Sequence, residues 1–227
     1  MVFQLKIKNK FAKNTTSKNI GKFKSILSKV KYVAKNVIYL KKWSKHPEKE
    51  KPKEIEYSSN DLKKSISSKQ LDFSFKKYQI KIIKYPDPLL IKAKQLRQKS
   101  FFENSNKKID SDEFDQFCDH LVVIDKSVAS DFVVGTYRLL LKEKNERYKR
   151  FYSESEFDIS NLFKKNISML EAGRSCVDKN YRDGKIIKLL WRGLAFYIIQ
   201  KKVDLIFGCA SFPSSNYSEF KTQLSYL

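Results

Sequence analysis

The stretch SMLEAGRSCVDKNYRDGKIIKLLWRGLAFYIIQKKVDLIFGCA, residues 168–210, decides the fold of this chain. Its first ten residues predict a strand over 168–177, bounded by polar residues. Residues 186–200 are apolar on most sides and predict a buried helix. Residues 203–210 predict a buried strand. Together they predict a strand–helix–strand crossover within an α/β sheet.

Upstream, from about residue 71, the pattern is that of a mixed α/β domain. Residues 78–83 alternate and predict a strand, and residues 89–102 predict a helix. Residues 120–124 and 132–141 predict paired strands, with Gly135 as a candidate bulge. The side chains expected to face inward from the helix are Leu90, Ala93, Leu96 and either Phe101 or Phe102. The expected fold class is α/β (α+β), a mixed sheet with helices on both faces.

The first 70 residues differ in composition from the rest and are expected to form a basic N-terminal extension of the domain at 71–227. Residues 1–22 are polar and are expected to be loosely ordered. Apolar residues recur at helical spacing over 23–38 and predict a basic amphipathic helix. Residues 44–70 are expected to form a linker. A further helix is expected to begin near Ser215.

Positive charge is concentrated in the N-terminal part of the chain. Of the formal net charge of +22, residues 1–95 carry +18, with 25 Lys, no Arg and 7 acidic residues. Such an asymmetry indicates an anionic partner, namely lipid head groups, nucleic acid or an acidic protein, although a Lys-rich composition that only solubilises the chain is an open alternative.

Several classes of protein are disfavoured by composition. No apolar run approaches the roughly 18 residues that a membrane span requires, and no signal-peptide pattern is present. The three cysteines form no CxxC pair, so a disulfide framework is not expected and a reducing cytoplasm fits best. With His46 and His120 as the two histidines, a zinc site is not expected.

Short segments spread over residues about 75–227 together resemble the ornithine acyl-carrier-protein N-acyltransferases, a GNAT-related family also labelled haemolysin-like. In chain order they are FDQFCDHL (114–121), VGTYRLL (134–140), FYSESEFD (151–158), LEAGRSCV (170–177), YRDG (181–184), LLWRGL (189–194) and FGCASF (207–212). Each segment alone is weakly specific, but their number and order make the signal specific. Residues 1–70 lie outside the resemblance.

The resemblance implies a GNAT-like fold whose sheet splays to admit the pantetheine arm of the acyl donor. It also implies transfer of a hydroxy-acyl group from acyl carrier protein to the α-amine of ornithine, the first step of ornithine-lipid synthesis. No tightly bound cofactor is expected, because the acyl carrier protein thioester is the donor substrate. The strands expected after the last helix of such a fold are missing from the pattern, so the C-terminal strands are expected to be absent.

Glu171 is the candidate catalytic base, because the resemblance places it on the strand beside the splay and amide formation requires a neutral amine. Arg174 lies three positions further on and would point to the opposite face of a regular strand. Gly173 between them predicts a bulge that brings both to one side, where Arg174 can grip the carboxylate of the amino acid. A structural pairing of Glu171 with Arg174 or Arg138 is the open alternative.

Further substrate-binding candidates are Asp119, His120 and Arg138, with capping or turn formation as the alternative for the first two. At the helix start, Arg182, Gly184 and Lys185 are the candidates for holding the donor phosphopantetheine, since helix N-termini bind phosphate. The alternative there is a capped helix start with Asp183 as the N-cap.

The partners expected are acyl carrier protein, ornithine and an anionic membrane surface, with no nucleic acid. The expected location is cytoplasmic or peripheral on the inner face of the membrane. Three other functions remain open: an acyl-homoserine-lactone synthase, an acetyl-CoA-dependent N-acetyltransferase, and a non-catalytic basic protein that binds membrane or nucleic acid.

Overall fold

A seven-stranded mixed sheet forms the centre of the computed structural model. The structure describes residues 2–6, 71–102, 105–144, 146, 149–164, 166–209 and 216–221. The strands are β1 (Val2–Lys6), β2 (Asp72–Phe75), β3 (Tyr78–Lys84), β4 (Asp119–Asp125), β5 (Val133–Lys142), β6 (Met169–Val177) and β7 (Leu205–Cys209). Their spatial order is β1-β7-β6-β5-β4-β3-β2.

Strands β2 to β6 pair antiparallel with their neighbours, whereas β6 and β7 pair parallel through the intervening helix. β6, the helix that follows it and β7 form the predicted strand–helix–strand crossover, and β2 to β6 form the antiparallel part of the sheet. The helices are α1 (Leu89–Phe101), the short α2 (Ser160–Phe163) and α3 (Lys185–Gln200). Short 3-10 helices are found at Glu113–Gln116, Tyr152–Ser155, Lys179–Tyr181 and Tyr217–Phe220.

The two long helices cover opposite faces of the sheet, as predicted. Leu121 and Val123 of β4 belong to the core that α3 completes, whereas Val122 and Ile124 belong to the core that α1 completes. Because side chains alternate along a strand, α1 and α3 lie on opposite sides. Leu90, Ala93 and Leu96 are buried, but Phe101 and Phe102 are each 45% exposed, so the prediction that one of them faces inward is wrong.

Two glycines let α3 approach the sheet closely. A Cβ at Gly135 of β5 would lie 2.6 Å from the Cγ2 of Ile186, and one at Gly193 of α3 would lie 2.6 Å from the Cδ1 of Leu121. The bulge predicted at Gly135 lies one residue earlier, at Val134, since Val123 is opposite Gly135 and Ile124 is opposite Val133.

The N-terminal strand β1 pairs antiparallel with β7, and Val2 lies opposite Cys209. The prediction that residues 1–22 are loosely ordered is therefore wrong for Val2–Lys6. The predicted helix over 23–38 and the linker over 44–70 lie outside the described residues. The absence of further C-terminal strands stays a prediction, because residues 222–227 also lie outside them. Near Ser215, the described segment 216–221 contains a 3-10 helix.

Candidate active site

A small cavity opens where the pairing of β6 with β7 ends. These strands are paired at three positions, and Glu171 opposite Phe207 is the last of them, although β6 continues to Val177. Gly208 is needed here, because a Cβ would lie 2.3 Å from the carbonyl oxygen of Ala172. The cavity measures about 50 Å³ and is lined by Arg138, Leu140, Tyr152, Glu171, Gly173, Arg174 and Cys209. Glu171 thus lies where the predicted splay begins.

Glu171 is buried, yet its carboxylate has hydrogen-bond donors on both oxygens. The peptide N–H of Tyr152 donates to Oε2 at 2.9 Å, and the peptide N–H of Ser153 donates to Oε1 at 2.7 Å. The hydroxyl of Ser153 also donates to Oε1. These donors belong to the 3-10 helix Tyr152–Ser155 and reach Glu171 at the last pair of the β6–β7 ladder. They satisfy a buried charge with three neutral donors.

The predicted bulge next to Gly173 is confirmed. Thr136 lies opposite Cys176 and Arg138 lies opposite Gly173, so β6 has one more residue than β5 across this interval. Within it Arg174 adopts a left-handed backbone, with φ 47°. The extra residue changes the alternation of side chains, and Glu171 and Arg174 line the same cavity.

Arg138 and Arg174 form ion pairs with aspartates of the segment before β4, not with Glu171. The Nη1 of Arg138 lies 2.6 Å from both carboxylate oxygens of Asp112. Arg174 reaches Asp110 at 3.2 Å and Asp112 at 3.5 Å. Within the described residues, the alternative pairing of Glu171 with either arginine is therefore not observed.

A buried arginine holds this aspartate-rich segment in place. Arg97 of α1 donates to Asp110 at 2.7 Å and to Asp115 at 2.6 Å, and its side chain is 1% exposed. Burial opposes ionisation of Asp115, but the hydrogen bonds and charge of Arg97 outweigh it and hold the pKa of Asp115 well below its usual range. Lys94 adds a contact to Asp115 at 3.4 Å. Three carboxylates thus meet three guanidinium groups and one ammonium group beside the cavity.

His120 and Asp119 do not line the cavity. The Nε2 of His120 lies 2.9 Å from the carbonyl oxygen of Asp115. Burial lowers the pKa of the His120 ring, and the hydrogen bond and charge of Asp115 oppose this effect without outweighing it. Asp119 accepts from the hydroxyl of Tyr197 at 2.8 Å and pairs with Lys84 at 3.1 Å. It borders a second, wider cavity of about 370 Å³ on the α3 side of the sheet. The structure thus places Arg138 and Arg174 beside Glu171, and the other two acceptor candidates elsewhere.

The start of α3 carries the donor-site candidates. Gly184 is the N-cap residue and adopts a left-handed backbone, with φ 88°. The carboxylate of Asp183 accepts from the peptide N–H of Lys185 at 2.9 Å and pairs with its ammonium group. Arg182 donates to the carbonyl oxygen of Val177 at 3.2 Å, next to the end of β6. A capping carboxylate is therefore present, but Gly184 takes the N-cap position that was considered for Asp183.

Sequence reasoning overlooked several residues that form the site. Tyr152 and Ser153 supply the contacts to Glu171, Asp110 and Asp112 pair with the arginines, and Cys209 lines the cavity. Residues 151–158 were part of the resemblance, which was the one signal available for Tyr152 and Ser153. Of the three cysteines, Cys118 and Cys176 are buried, whereas Cys209 is partly exposed.

Parts of this chain are similar in sequence to known proteins. Residues 96–192 match the family model described as Acetyltransferase (GNAT) domain. The chain is 42% identical over 130 residues to an L-ornithine N(alpha)-acyltransferase of Agrobacterium fabrum, covering 55% of this chain and 44% of that protein. It is 37% identical over 149 residues to an L-ornithine N(alpha)-acyltransferase of Brucella abortus, covering 60% and 53%.

The chain is thus similar, over part of its length, to proteins named L-ornithine N(alpha)-acyltransferase. This similarity confirms the resemblance predicted from the short segments, and residues 96–192 match a GNAT domain. The chain spans about half the length of the curated relatives that it matches. Among solved structures, an integron cassette protein from the V. cholerae mobile metagenome matches with a TM-score of 0.42 and 14% identity, over 66% of this chain and 84% of that one. Among the described helices, none is long and apolar enough to cross a membrane.

Proposed function

We propose that this chain transfers a (hydroxy)fatty acyl group from acyl carrier protein to the α-amine of ornithine, as the first step of ornithine-lipid synthesis. The observation that carries the proposal is the placement of Glu171 in a cavity at the end of the β6–β7 ladder, with Arg138 and Arg174 in the same lining. The ornithine acceptor is supported by the names of the relatives.

Glu171 would act as the general base. The α-amine attacks the thioester carbonyl carbon, the carbon–sulfur bond breaks and an amide forms. The amine loses one proton, which Glu171 takes directly or through one water, and the departing thiolate gains one. A carboxylate fixed by Tyr152 and Ser153 does not need to reorient during this step, which supports its role.

Arg138 and Arg174 would bind the carboxylate of ornithine. The proposal is supported by Asp112, whose carboxylate pairs with both guanidinium groups, at 2.6 Å and 3.5 Å. Asp119 and His120 were also predicted to bind the acceptor; they lie outside the cavity lining and would act through β4, which pairs with the strand that carries Arg138.

The start of α3 would hold the donor. Gly184 and Lys185 lie at the positive helix terminus, where Asp183 accepts from the peptide N–H of Lys185, and Arg182 lies beside the end of β6. A carrier-protein donor presents a single phosphodiester, which needs a smaller cradle than the pyrophosphate of acetyl-CoA. Acyl carrier protein is acidic, and the net charge of +22 favours its approach and that of an anionic membrane surface, in the cytoplasm or at the inner face of the membrane.

The test is turnover of the full chain with 3-hydroxyacyl-loaded acyl carrier protein and ornithine, followed by release of free thiol. Glu171→Gln should lower kcat by at least about 100-fold, the usual contribution of a general base. Glu156→Gln is the matched control, because Glu156 is exposed and contacts the hydroxyl of Tyr152 without contacting Glu171. Full turnover by Glu171→Gln would remove Glu171 as the base.

Two further arms of the same assay separate the competing functions. Acetyl-CoA replaces the carrier-protein donor in one arm, and faster thiol release there would favour an acetyltransferase. In the other, the wild-type protein is mixed with anionic vesicles or nucleic acid. Absence of thiol release with every donor, together with tight and salt-sensitive binding, would favour a non-catalytic binding protein.

A further inference from the structure

The buried hydroxyl of Ser153 makes a long-range hydrogen bond, which is unusual for a serine in a short helix. It is fully buried, and it donates to the carboxylate of Glu171, 18 positions away in sequence. Ser155 belongs to the same 3-10 helix but is exposed, and its hydroxyl donates to the backbone carbonyl of Tyr152 at 2.7 Å. The local contact of Ser155 is the ordinary behaviour of a serine in a turn, and that of Ser153 is not.

The contacts of the Glu171 carboxylate are unequal. Oε1 accepts two donors, the peptide N–H and the hydroxyl of Ser153, whereas Oε2 accepts one in the described residues, the peptide N–H of Tyr152. A carboxylate has about four lone-pair sites, two on each oxygen. Both sites of Oε1 are therefore filled, and Oε2 keeps one for a proton arriving from the cavity.

The orientation of the Ser153 hydroxyl is itself fixed. The thiol of Cys209 donates to Ser153 Oγ at 3.2 Å, so that the hydroxyl directs its own hydrogen at Glu171. Burial raises the pKa of Cys209, with the hydrogen bond to Ser153 acting in the opposite direction, and the thiol therefore stays protonated as a donor near neutral pH. A chain of hydrogen bonds thus runs from Cys209 through Ser153 to Glu171.

We propose that Ser153 is a positioning residue, which blocks Oε1 of Glu171 and sets the carboxylate so that Oε2 takes the proton of the attacking amine. The inference rests on the proposed function, since it assigns a role within that reaction. It places the effect of Ser153 on the proton-transfer step and not on the binding of ornithine, because Ser153 is not among the residues that line the cavity.

The first test compares Ser153→Ala, Ser153→Thr and the control Ser155→Ala in the turnover assay. Ser153→Ala should lower kcat roughly tenfold, the effect of one hydrogen bond to a charged group, with the KM for ornithine within about twofold. Ser153→Thr should recover most of kcat, and Ser155→Ala should match the wild type.

The order of the two Ser153 variants distinguishes positioning from packing. Alanine fits the buried site without strain, whereas threonine adds a methyl group there. If packing alone mattered, Ser153→Thr would be slower than Ser153→Ala. That order, or a kcat for Ser153→Ala within twofold of the wild type, would overturn the inference while leaving the proposed function in place.

A second measurement does not depend on turnover. In protein labelled with ¹³C at glutamate carboxyl groups, the Glu171 signal is the one that Glu171→Gln removes. Ser153→Ala should change the chemical shift of this signal at neutral pH, because the carboxylate has lost one hydrogen-bond donor, and Ser155→Ala should leave it in place. An unchanged Glu171 signal in Ser153→Ala would refute the inference. Wild-type protein without turnover would refute the proposed function, whatever the signal shows.

Discussion

The guanidinium carbon of Arg174 lies 4.9 Å from the centre of the Tyr152 ring. Arg138 lies over the same ring, at 5.7 Å. The peptide N–H of Tyr152 meanwhile donates to Glu171. One residue therefore holds the proposed base through its backbone and both proposed carboxylate-binding arginines through its ring, which explains how a short 3-10 helix can organise a site built on two strands.

Replacing Tyr152 with leucine should separate these two roles. The backbone N–H stays, but the aromatic face under Arg138 and Arg174 is lost, and each cation–π contact contributes about 0.5–2 kcal/mol. We expect the KM for ornithine to rise about five- to twentyfold, with a smaller change in kcat. Tyr152→Phe is the control, because it keeps the ring and removes the hydroxyl that contacts Glu156. Equal KM values for the two variants would exclude the ring as a support for the arginines.

The strands and long helices could be predicted from the sequence because their signals are local. The predicted helix over 186–200 and the observed helix Lys185–Gln200 differ by one residue, and the predicted strand over 168–177 begins one residue before Met169. Strand β2 was missed because four residues give too little periodicity. Strand β1 was missed because its apolar residues lie within a Lys-rich segment, and its partner β7 is about 200 positions away.

The site was predictable in part. The three-residue spacing of Glu171 and Arg174 and the glycine between them indicated a bulge, and the structure has one there. What surrounds Glu171 was not predictable, because Tyr152 and Ser153 reach it from a segment without a regular pattern. The prediction that Phe101 or Phe102 faces inward was wrong because helical periodicity was extended to the C-terminal end of α1, where both side chains are exposed.

Gly173 allows the size of the cavity to be tested without disturbing the fold. A Cβ at this position would meet no atom within 4 Å, although Gly173 lines the cavity of about 50 Å³. Gly173→Ala should therefore unfold at the wild-type temperature, whereas Gly173→Leu should fill the cavity and lower kcat/KM at least about tenfold. Thermal unfolding and the turnover assay check both effects. Unimpaired turnover by Gly173→Leu would show that the substrates meet somewhere else.

Alanine at Gly135 should destabilise the protein, unlike alanine at Gly173. Its Cβ would lie 2.6 Å from the side chain of Ile186 and 3.1 Å from that of Leu190, so that alanine forces α3 away from β5. We expect Gly135→Ala to lower the free energy of unfolding by about 1–3 kcal/mol, the range for overpacking in a core. Denaturant unfolding of Gly135→Ala and Gly173→Ala side by side measures the difference. Equal stability of the two would contradict the close packing of α3 on β5.

The three thiols should react slowly in the folded protein. Burial raises the pKa of Cys118 to about 12 and that of Cys176 to about 11, and it also raises the pKa of Cys209. Since the thiolate is the reactive form, alkylation by iodoacetamide at pH 8 should be several-fold slower than that of a free cysteine. Mass spectrometry of tryptic peptides assigns each site. Cys209 should react first of the three, because it alone is partly exposed, and rapid alkylation of Cys118 would contradict its burial.

Asp115 should make the stability of the protein depend on pH in a defined direction. Its pKa is lowered in the folded protein from an ordinary value of 3.8, so its contribution is fully present above about pH 4 and is lost as the pH falls toward the lower folded value. Asp115→Asn leaves Arg97 in the core without one of its partners, which costs about 3–5 kcal/mol at pH 7. The difference in free energy of unfolding between wild type and variant should be constant from pH 7 to about pH 4. It should then shrink by up to about 1.4 kcal/mol per pH unit at lower pH.

Asp131→Asn is the control, because its carboxylate is half exposed and pairs with the exposed Lys92; it should change stability by less than about 1 kcal/mol. A difference that stays constant to pH 2.5 would show that Asp115 is not held ionised by Arg97.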